Sequence, residues 1–250
     1  EQGGGWGVGL GIIPSRMEAG YPIGYFYGYK TNGIYQNQSE IDALNVNAFN
    51  ADGESIDFHS GAKVGDLKFV DINGDGFISD DDKTYIGDPI PDFTMGFNLG
   101  FNYKNFDFNT SAYASIGNDM VRDYERQAAG VNRGTYMYER WRGEGTSNTV
   151  PRASDGSSIN NMNFSDFYVE DASYLRIQNV QLGYTANESL TSRFGMDSLR
   201  MYLSVNNLFT FTNYYGFDPS ASSGSPIGAG IDKGFYPVSR SFLLGLNIKI

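Results

Sequence analysis

Between Asp71 and Asp82 the chain reads Asp-Ile-Asn-Gly-Asp-Gly-Phe-Ile-Ser-Asp-Asp-Asp, and its oxygen-bearing residues fall at spacings that suit a hard cation. Asp71, Asn73, Asp75 and Asp82 occupy the first, third, fifth and twelfth places of the calcium-loop pattern; Gly76 stands sixth, Phe77 offers its carbonyl and Ser79 stands ninth. Calcium takes roughly six to eight oxygens, so a loop that alternates side-chain ligands and turns sharply at a glycine can wrap the ion. Asp82 stands where a bidentate Glu is usual, and its shorter side chain lowers the expected affinity or demands a tighter loop. Asp-Asn-Gly runs also make exposed turns with no ion, because their side chains bond the nearby backbone. The sequence leaves both readings open, a calcium cofactor or a bare turn.

Little else in the chain could do chemistry. The 250 residues include no cysteine, which excludes a thiol nucleophile, a disulfide scaffold and a cysteine-zinc site. The single histidine, His59, cannot supply a multi-histidine metal centre and has no nucleophile signature near it, so it is expected to be a loop histidine without a catalytic role. Asp80, Asp81 and Asp82 cluster, but no second placed acid makes a glycosidase pair, and solvated charge explains them. No enzyme is expected. Trp141, Tyr136 and Tyr138 in one long connection, and Tyr214 and Tyr215 beside Phe217 in another, are candidate substrate-binding residues, since aromatic rings stack on sugars. Their alternative role is loop packing or an interfacial aromatic girdle. Asp218-Pro219 reads as a turn. With 18 basic and 29 acidic residues the chain carries −11, which argues against nucleic acid as its main partner.

The elements that hold these residues read as strands. The chain has 18 Phe, 18 Tyr and 32 Gly, a β-rich composition of aromatics and turn glycines. Phe93, Met95, Phe97, Leu99 and Phe101 share one face while Thr94, Gly96, Asn98 and Gly100 share the other. After the short polar connection from Asn102 to Asn105, Phe106, Phe108, Ala112, Ala114 and Ile116 alternate with Asp107, Asn109, Ser111 and Ser115, completing a hairpin. From Tyr174 to Tyr184 the apolar parity changes between Ile177 and Val180, which predicts a β-bulge near Gln178 and Asn179. Leu199 to Phe211 and Phe242 to Ile250 alternate as well, and Ile23 to Tyr35 alternates poorly. The remaining stretches read as loops, and no internal repeat indicates a propeller or solenoid.

No stretch approaches the roughly 18 to 20 consecutive apolar residues of a membrane helix, but membrane β-strands escape that criterion because they alternate. The connections are short after Phe101, long from Gly117 to Ser173, medium from Thr185 to Ser198 and long again from Thr212 to Ser239. Short turns on one side and long loops on the other are expected of outer-membrane barrels, and with the short side periplasmic the C-terminus is periplasmic too. Periodicity alone equally admits a soluble calcium-binding, carbohydrate-binding β-sandwich or a surface adhesin module, in which the same alternation faces a core.

Several segments in order resemble the C-terminal part of the SusC/RagA-type TonB-dependent outer-membrane transporters, the starch-utilisation family of Bacteroidetes. They are Pro22 to Tyr29 with Asn32 to Tyr35, Gly65 to Phe69 running into Asp71 to Gly76, and Ile86 to Pro89 with Pro91 and Phe93. The match continues through Glu139-Arg140-Trp141, Tyr168 to Arg176, Asn206 to Thr212, Tyr215 to Pro219 and Gly245 to Ile248. The resemblance implies an all-β fold: antiparallel strands forming the C-terminal segment of a large transmembrane barrel, about 22-stranded in the family, with long extracellular loops. Residues 1–250 would be that C-terminal portion, with 30–92 a long extracellular loop region containing the EF-hand-like calcium loop at 71–82.

Nothing in the chain resembles the family's plug domain or energy-coupling box. The start at Glu1, with no initiator Met and no leader, also reads as a mature form or a fragment. About six strands of so wide a barrel would leave open edges. Ile250 stands where the family ends in an aromatic residue, which weakens the expected assembly signal. The resemblance implies import of glycans, peptides or other large nutrients across the cell outer membrane of a Gram-negative bacterium. The implied partners are a SusD-like surface lipoprotein, the TonB complex acting through the absent plug, an oligosaccharide or peptide substrate and outer-membrane lipid, with no nucleic acid.

Overall fold

The computed structural model describes residues 14–124, 134–153, 160–222 and 224–250. The chain forms two compact units, and each draws on three separate stretches of sequence. One unit comprises residues 90–118, 171–221 and 235–250; the other comprises 1–89, 119–170 and 222–234.

The first of these is a single antiparallel sheet of five strands: β1 (Phe93–Tyr103), β2 (Phe106–Ile116), β3 (Tyr174–Thr185), β4 (Ser198–Thr212) and β5 (Ser241–Lys249). Their order across the sheet is β5-β4-β3-β2-β1. Alternation dictates the faces, because successive side chains point to opposite sides of a strand. The register lines the apolar residues into rows across the sheet. Phe101 is opposite Phe108, Phe108 opposite Leu182, Leu182 opposite Leu203 and Leu203 opposite Leu244. The next row joins Tyr103, Phe106, Tyr184, Met201 and Leu246.

The predicted bulge is present. Between Ile177 and Asn179 the register shifts on both sides of β3. Relative to β2, β3 carries one extra residue at this level, so Val180, Leu182 and Tyr184 return to the apolar face. The even alternation expected from Leu199 to Phe211 is broken at the same level: Asn207 and Leu208 fall in the gap between the partners of Ile177 and Asn179. Asn207 has φ 51°, a left-handed conformation that asparagine tolerates better than most residues. Bulges that grow from strand to strand add local bend and twist to the sheet.

The other face is polar, and Asp107 and Arg200 anchor it. Arg200 Nε donates to Asp107 Oδ1 at 2.9 Å and Nη2 to Oδ2 at 2.6 Å, although the two residues stand on β2 and β4 with β3 between them. They meet over Gly183, where a β-carbon would stand 2.3 Å from Asp107 Oδ1 and 2.6 Å from Arg200 Nη2. Gly183 is therefore required by the close approach of this pair.

The second unit corrects the expectation of loops. Tyr25–Gly28 lies between Ser15–Arg16 and Thr84–Gly87 in a small antiparallel sheet, Thr31–Ile34 pairs with Leu67–Phe69, and Asp119–Arg122 pairs in parallel with Ile231–Asp232. A helix, Gln38–Asn45, starts at Asn37, whose side chain accepts from Glu40 N–H. The segment Ile23 to Tyr35 is thus two short strands in different sheets, and neither joins the five-stranded sheet. The chain switches partners at Tyr29, whose N–H donates to the Phe164 carbonyl. Two cores hold the unit: Phe26, Val121, Phe164 and Ile231 form one, and Tyr29, Ile34, Leu67 and Phe69 the other.

Replacing Gly183 with Ala should drive Asp107 and Arg200 apart and destabilise the sheet by about 1 to 3 kcal/mol, because both charged groups lose their partner. In an Asp107→Ala background the same substitution should add much less, and thermal midpoints of the four variants measure the coupling. Full additivity of the two changes would show that the pair does not depend on Gly183.

Candidate functional site

Two features of the fold could carry function: the bare apolar face of the five-stranded sheet, and the acidic loop at 71–82 in the other unit. On the sheet, Phe93, Met95, Phe97, Leu99 and Phe101 of β1 are each about half exposed, and Leu244 of β5 is 84% exposed. No second sheet exists within this unit among the described residues. A β-sandwich needs two apolar faces packed on each other, so the single layer speaks against the sandwich alternative. Among the described residues the apolar face between its ends carries no charged side chain, and its hydroxyls are those of Thr110 and, in the row nearest the β1-β2 turn, Tyr103 and Tyr184. β1 and β2 are 11 residues long. At ~3.4 Å per residue and a tilt of ~45°, such strands span roughly 25 Å, the height of an apolar band facing lipid.

The opposite face presents Asn98, Asn109, Ser111, Asn179, Gln181, Ser204 and Asn206. Asn179 Nδ2 donates to Ser204 Oγ and Asn206 Oδ1, and Asn206 Nδ2 donates to Ser241 Oγ, a hydrogen-bonded track across three strands. At the end of the sheet, Arg176 Nη2 donates to Asp218 Oδ1 at 2.6 Å. Burial would raise the Asp218 pKa, but hydrogen bonds from Ser220, the Val238 N–H and Arg176 outweigh it and hold the carboxyl below its ordinary value. Asp218 is therefore more than the turn former the sequence suggests, since it ties the connection after β4 to β3.

The loop at 71–82 has the predicted register but not helical flanks. The strand Leu67–Phe69 leads into it, and one 3-10 turn, Asp80–Asp82, leads out. Asp71 accepts the N–H groups of Gly74 and Gly76, Asp75 that of Phe77, and the fully buried Asp82 those of Ile72 and Ser79. Gly76 has φ 91°, a conformation glycine reaches without strain. Ser79 Oγ is engaged as the cap of the 3-10 turn, accepting from Asp81 N–H. One ligand oxygen from each of Asp71, Asp75 and Asp82 lies within 4.8 Å of the others. Oxygens bound to one calcium at about 2.3 to 2.6 Å stand no more than about 5 Å apart, so the spacing fits that ion. Each carboxylate oxygen has two lone pairs, so these N–H bonds leave acceptor capacity for a cation.

The candidate aromatic residues divide by exposure. Tyr138 and Tyr215 are 77% and 75% exposed, whereas Tyr214 is 6% exposed with its ring over Gly216. Trp141 packs against the Tyr29, Ile34, Leu67 and Phe69 core, and its indole N–H donates to Gln36 Oε1 at 3.3 Å. The Tyr136 ring lies under the Arg122 guanidinium at 4.3 Å. Tyr138 and Tyr215 thus present open rings, and Trp141, Tyr136 and Tyr214 hold their surroundings together.

His59 stands in a loop, as the sequence suggests, and its ring is buried in an aromatic core. It is 6% exposed, 5.0 Å from the Phe69 ring and 6.0 Å from the Tyr35 ring, with Nδ1 3.5 Å from Tyr35 Oη. Burial pushes its pKa down to about 4, against the opposing pull of Asp66 and a hydrogen bond with Asn160. No local sequence signal marks this burial, because the residues that enclose His59 come from other parts of the chain.

No family model matches the chain. It is 35% identical over 241 residues to "TonB-dependent receptor P3" of Formosa agariphila, a match covering 93% of this chain and 23% of that protein. It is 35% identical over 184 residues to "TonB-dependent receptor SusC" of Bacteroides thetaiotaomicron, covering 72% and 17%. Among solved structures it matches the RagAB peptide importer in its open-open state with a TM-score of 0.62 and 24% identity, over 95% of this chain and 23% of that one. The chain therefore spans about a quarter of the length of the first relatives it matches. The fold is that of a partial segment of a TonB-dependent transporter barrel.

The buried neutral His59 makes the stability of its core depend on pH. Its folded pKa lies below the unfolded value of about 6.5, so the core is at full strength above pH 6.5 and weakens as pH falls towards 4, by up to about 3 kcal/mol. Hydrogen exchange at the Tyr35 and Phe69 amides, corrected for intrinsic rates, should show protection falling across that window. His59→Gln should flatten the profile; an equal slope in the variant would mean that another group titrates.

Proposed function

We propose that this chain, a homologue of SusC-type TonB-dependent receptors over most of its own length, forms wall and outer loops of an outer-membrane importer of glycans, peptides or other large nutrients. The observation that carries the reading is the single-layered sheet, apolar and uncharged on one face and hydrogen-bonded and polar on the other. Such a sheet is costly in water. In a wide barrel the apolar face meets lipid and the polar face meets a hydrated lumen.

In this reading the five strands are the C-terminal portion of the barrel. The short β1-β2 connection and the β3-β4 connection face the periplasm, the C-terminus is periplasmic, and the long connections are extracellular. A SusD-like lipoprotein is the partner at the outer mouth, and TonB acts through a plug domain encoded elsewhere in the protein. The relatives' names support this class of activity: one is a TonB-dependent receptor named SusC, another a peptide importer. The chain's own part is wall, lumen surface and outer loops, with no covalent chemistry. Tyr138 and Tyr215 are the open rings available to a sugar or peptide cargo.

The loop at 71–82 is, in the same reading, a calcium clip on an outer loop, supported by the spacing of Asp71, Asp75 and Asp82. Asn73, the Phe77 carbonyl and Ser79 would complete its ligands. Calcium added to the full-length protein should slow amide exchange from Gly74 to Phe77, and a chelator should reverse it; Asp75→Asn should weaken the response. Exchange indifferent to calcium would leave the bare turn.

Leu203→Arg, in the middle of the apolar face, should cost about 2 to 4 kcal/mol of barrel stability and reduce the folded, heat-modifiable form in outer membranes. Asn98→Arg, on the polar face, should be tolerated. Equal tolerance at both positions, or recovery of the full-length protein in the soluble fraction, would sink the transporter reading.

A further inference from the structure

The turn between β1 and β2 is the residue pair Lys104-Asn105, and its first residue runs against the usual preference. Lys104 has φ 53°, in the left-handed region where a β-carbon is strained and where turns of this length favour Asn, Asp or Gly. Asn105 pins the turn: its Nδ2 donates to the Thr185 carbonyl and to Asn187 Oδ1, both at 2.6 Å, which ties it to the β3-β4 connection. Lys104 takes no part in these bonds, and among the described residues it joins no ion pair. Its Nζ lies instead 5.3 Å from the centroid of the Tyr103 ring. A strained residue that the local hydrogen bonds do not need points to a role for its side chain.

Tyr103 belongs to the apolar face. It stands in the row with Phe106, Tyr184, Met201 and Leu246, one step beyond the row of Phe101, Phe108, Leu182, Leu203 and Leu244. The Lys104 ammonium therefore lies over a ring of that face, at the end of the face. Lys249, at the same end of the sheet, differs: alternation with Ile248 puts it on the polar side, and its Nζ is 3.8 Å from Asp197 Oδ2. Tyr103 is 63% exposed, and the Tyr103 and Tyr184 hydroxyls have no hydrogen-bond partner among the described residues. Rings tipped by a hydroxyl suit the boundary between hydrocarbon and water. An ammonium at that boundary can hold a phosphate, and the rows of Phe and Leu beside it can hold hydrocarbon. A free anion would use the first of these and leave the second bare.

We propose that the end of the apolar face at Lys104 is a headgroup site for an anionic phospholipid, with the phosphate on Lys104 Nζ and the acyl chains lying along Tyr103, Phe101 and Phe108. The proposal rests on the transporter reading, since it requires the face to meet lipid. The test takes the full-length protein from outer membranes into phosphatidylcholine nanodiscs containing phosphatidylglycerol, and native mass spectrometry counts the lipids retained. Wild type should retain phosphatidylglycerol over phosphatidylcholine. Lys104→Gly, which relieves the left-handed turn while removing the charge, should lower that retention by about fivefold, the worth of one lysine beside an anionic headgroup. Lys249→Ala, which removes a lysine from the polar side of the same end, should leave it unchanged. Glycerol phosphate, which has the head without the tails, should not compete at equal concentration.

Equal retention of the two lipids by wild type, full retention by Lys104→Gly, an equal loss in Lys249→Ala, or displacement by glycerol phosphate would each overturn the proposal. Heat-modifiable migration verifies that each variant has assembled; Lys104→Asn, which also tolerates the left-handed conformation, gives the same readout if Lys104→Gly does not assemble. Fractionation precedes the lipid count, so a protein absent from the outer membrane would fail the transporter reading itself.

Discussion

Backbone pairing from strand to strand is the interaction on which the rest depends. Because the N–H and C=O groups of the interior strands pair within the plane of the sheet, the two faces are left to the side chains alone. One face can then be wholly apolar without stranding a polar group in hydrocarbon, and the other can be wholly polar. The rows of Phe, Leu, Val and Met on one side, and the track of Asn, Ser and Gln on the other, follow from that division. So does the role of Gly183, whose missing side chain lets Asp107 and Arg200 meet across an intervening strand.

Charge is divided between the units in the same sense. The unit containing the sheet holds six acidic and six basic residues, while the other holds 23 acidic and 12 basic and so carries the entire net charge of −11. Within the sheet unit, ion pairs join Asp107 to Arg200 and Asp218 to Arg176. A charge close to hydrocarbon is expensive, whereas a surplus of carboxylates in water repels only weakly once screened. The second unit can therefore be acidic and still fold around Phe26, Val121, Phe164 and Ile231, and around the stacked rings of Tyr29 and Phe69, 4.6 Å apart.

The connections of the sheet are a folded unit because their pieces complete one another. Thr31–Ile34 has too few residues to stand as a strand alone, yet it pairs with Leu67–Phe69, and Asn161 Oδ1 accepts the Leu67 N–H at 2.8 Å. Asp66, fully buried, accepts from Arg152 Nε and Asn161 Nδ2, residues that stand 86 and 95 positions away. Interactions of such range leave no periodic trace.

The five strands, the identity of their two faces, the short β1-β2 turn and the bulge near Gln178 were legible in the order of the residues. Each of these is written in a period of two or in its interruption, and a strand's side-chain direction is a local property. The oxygen spacing of the 71–82 loop was legible for the same reason, since its ligands lie within twelve consecutive residues. Folding of distant segments onto one another splits Ile23 to Tyr35 between two sheets, sets His59 in an aromatic core, and packs Tyr214 and Trp141 while leaving Tyr215 and Tyr138 exposed. Those outcomes depend on residues brought together from distant parts of the chain, and burial is a property of the assembled neighbourhood rather than of any local run of sequence.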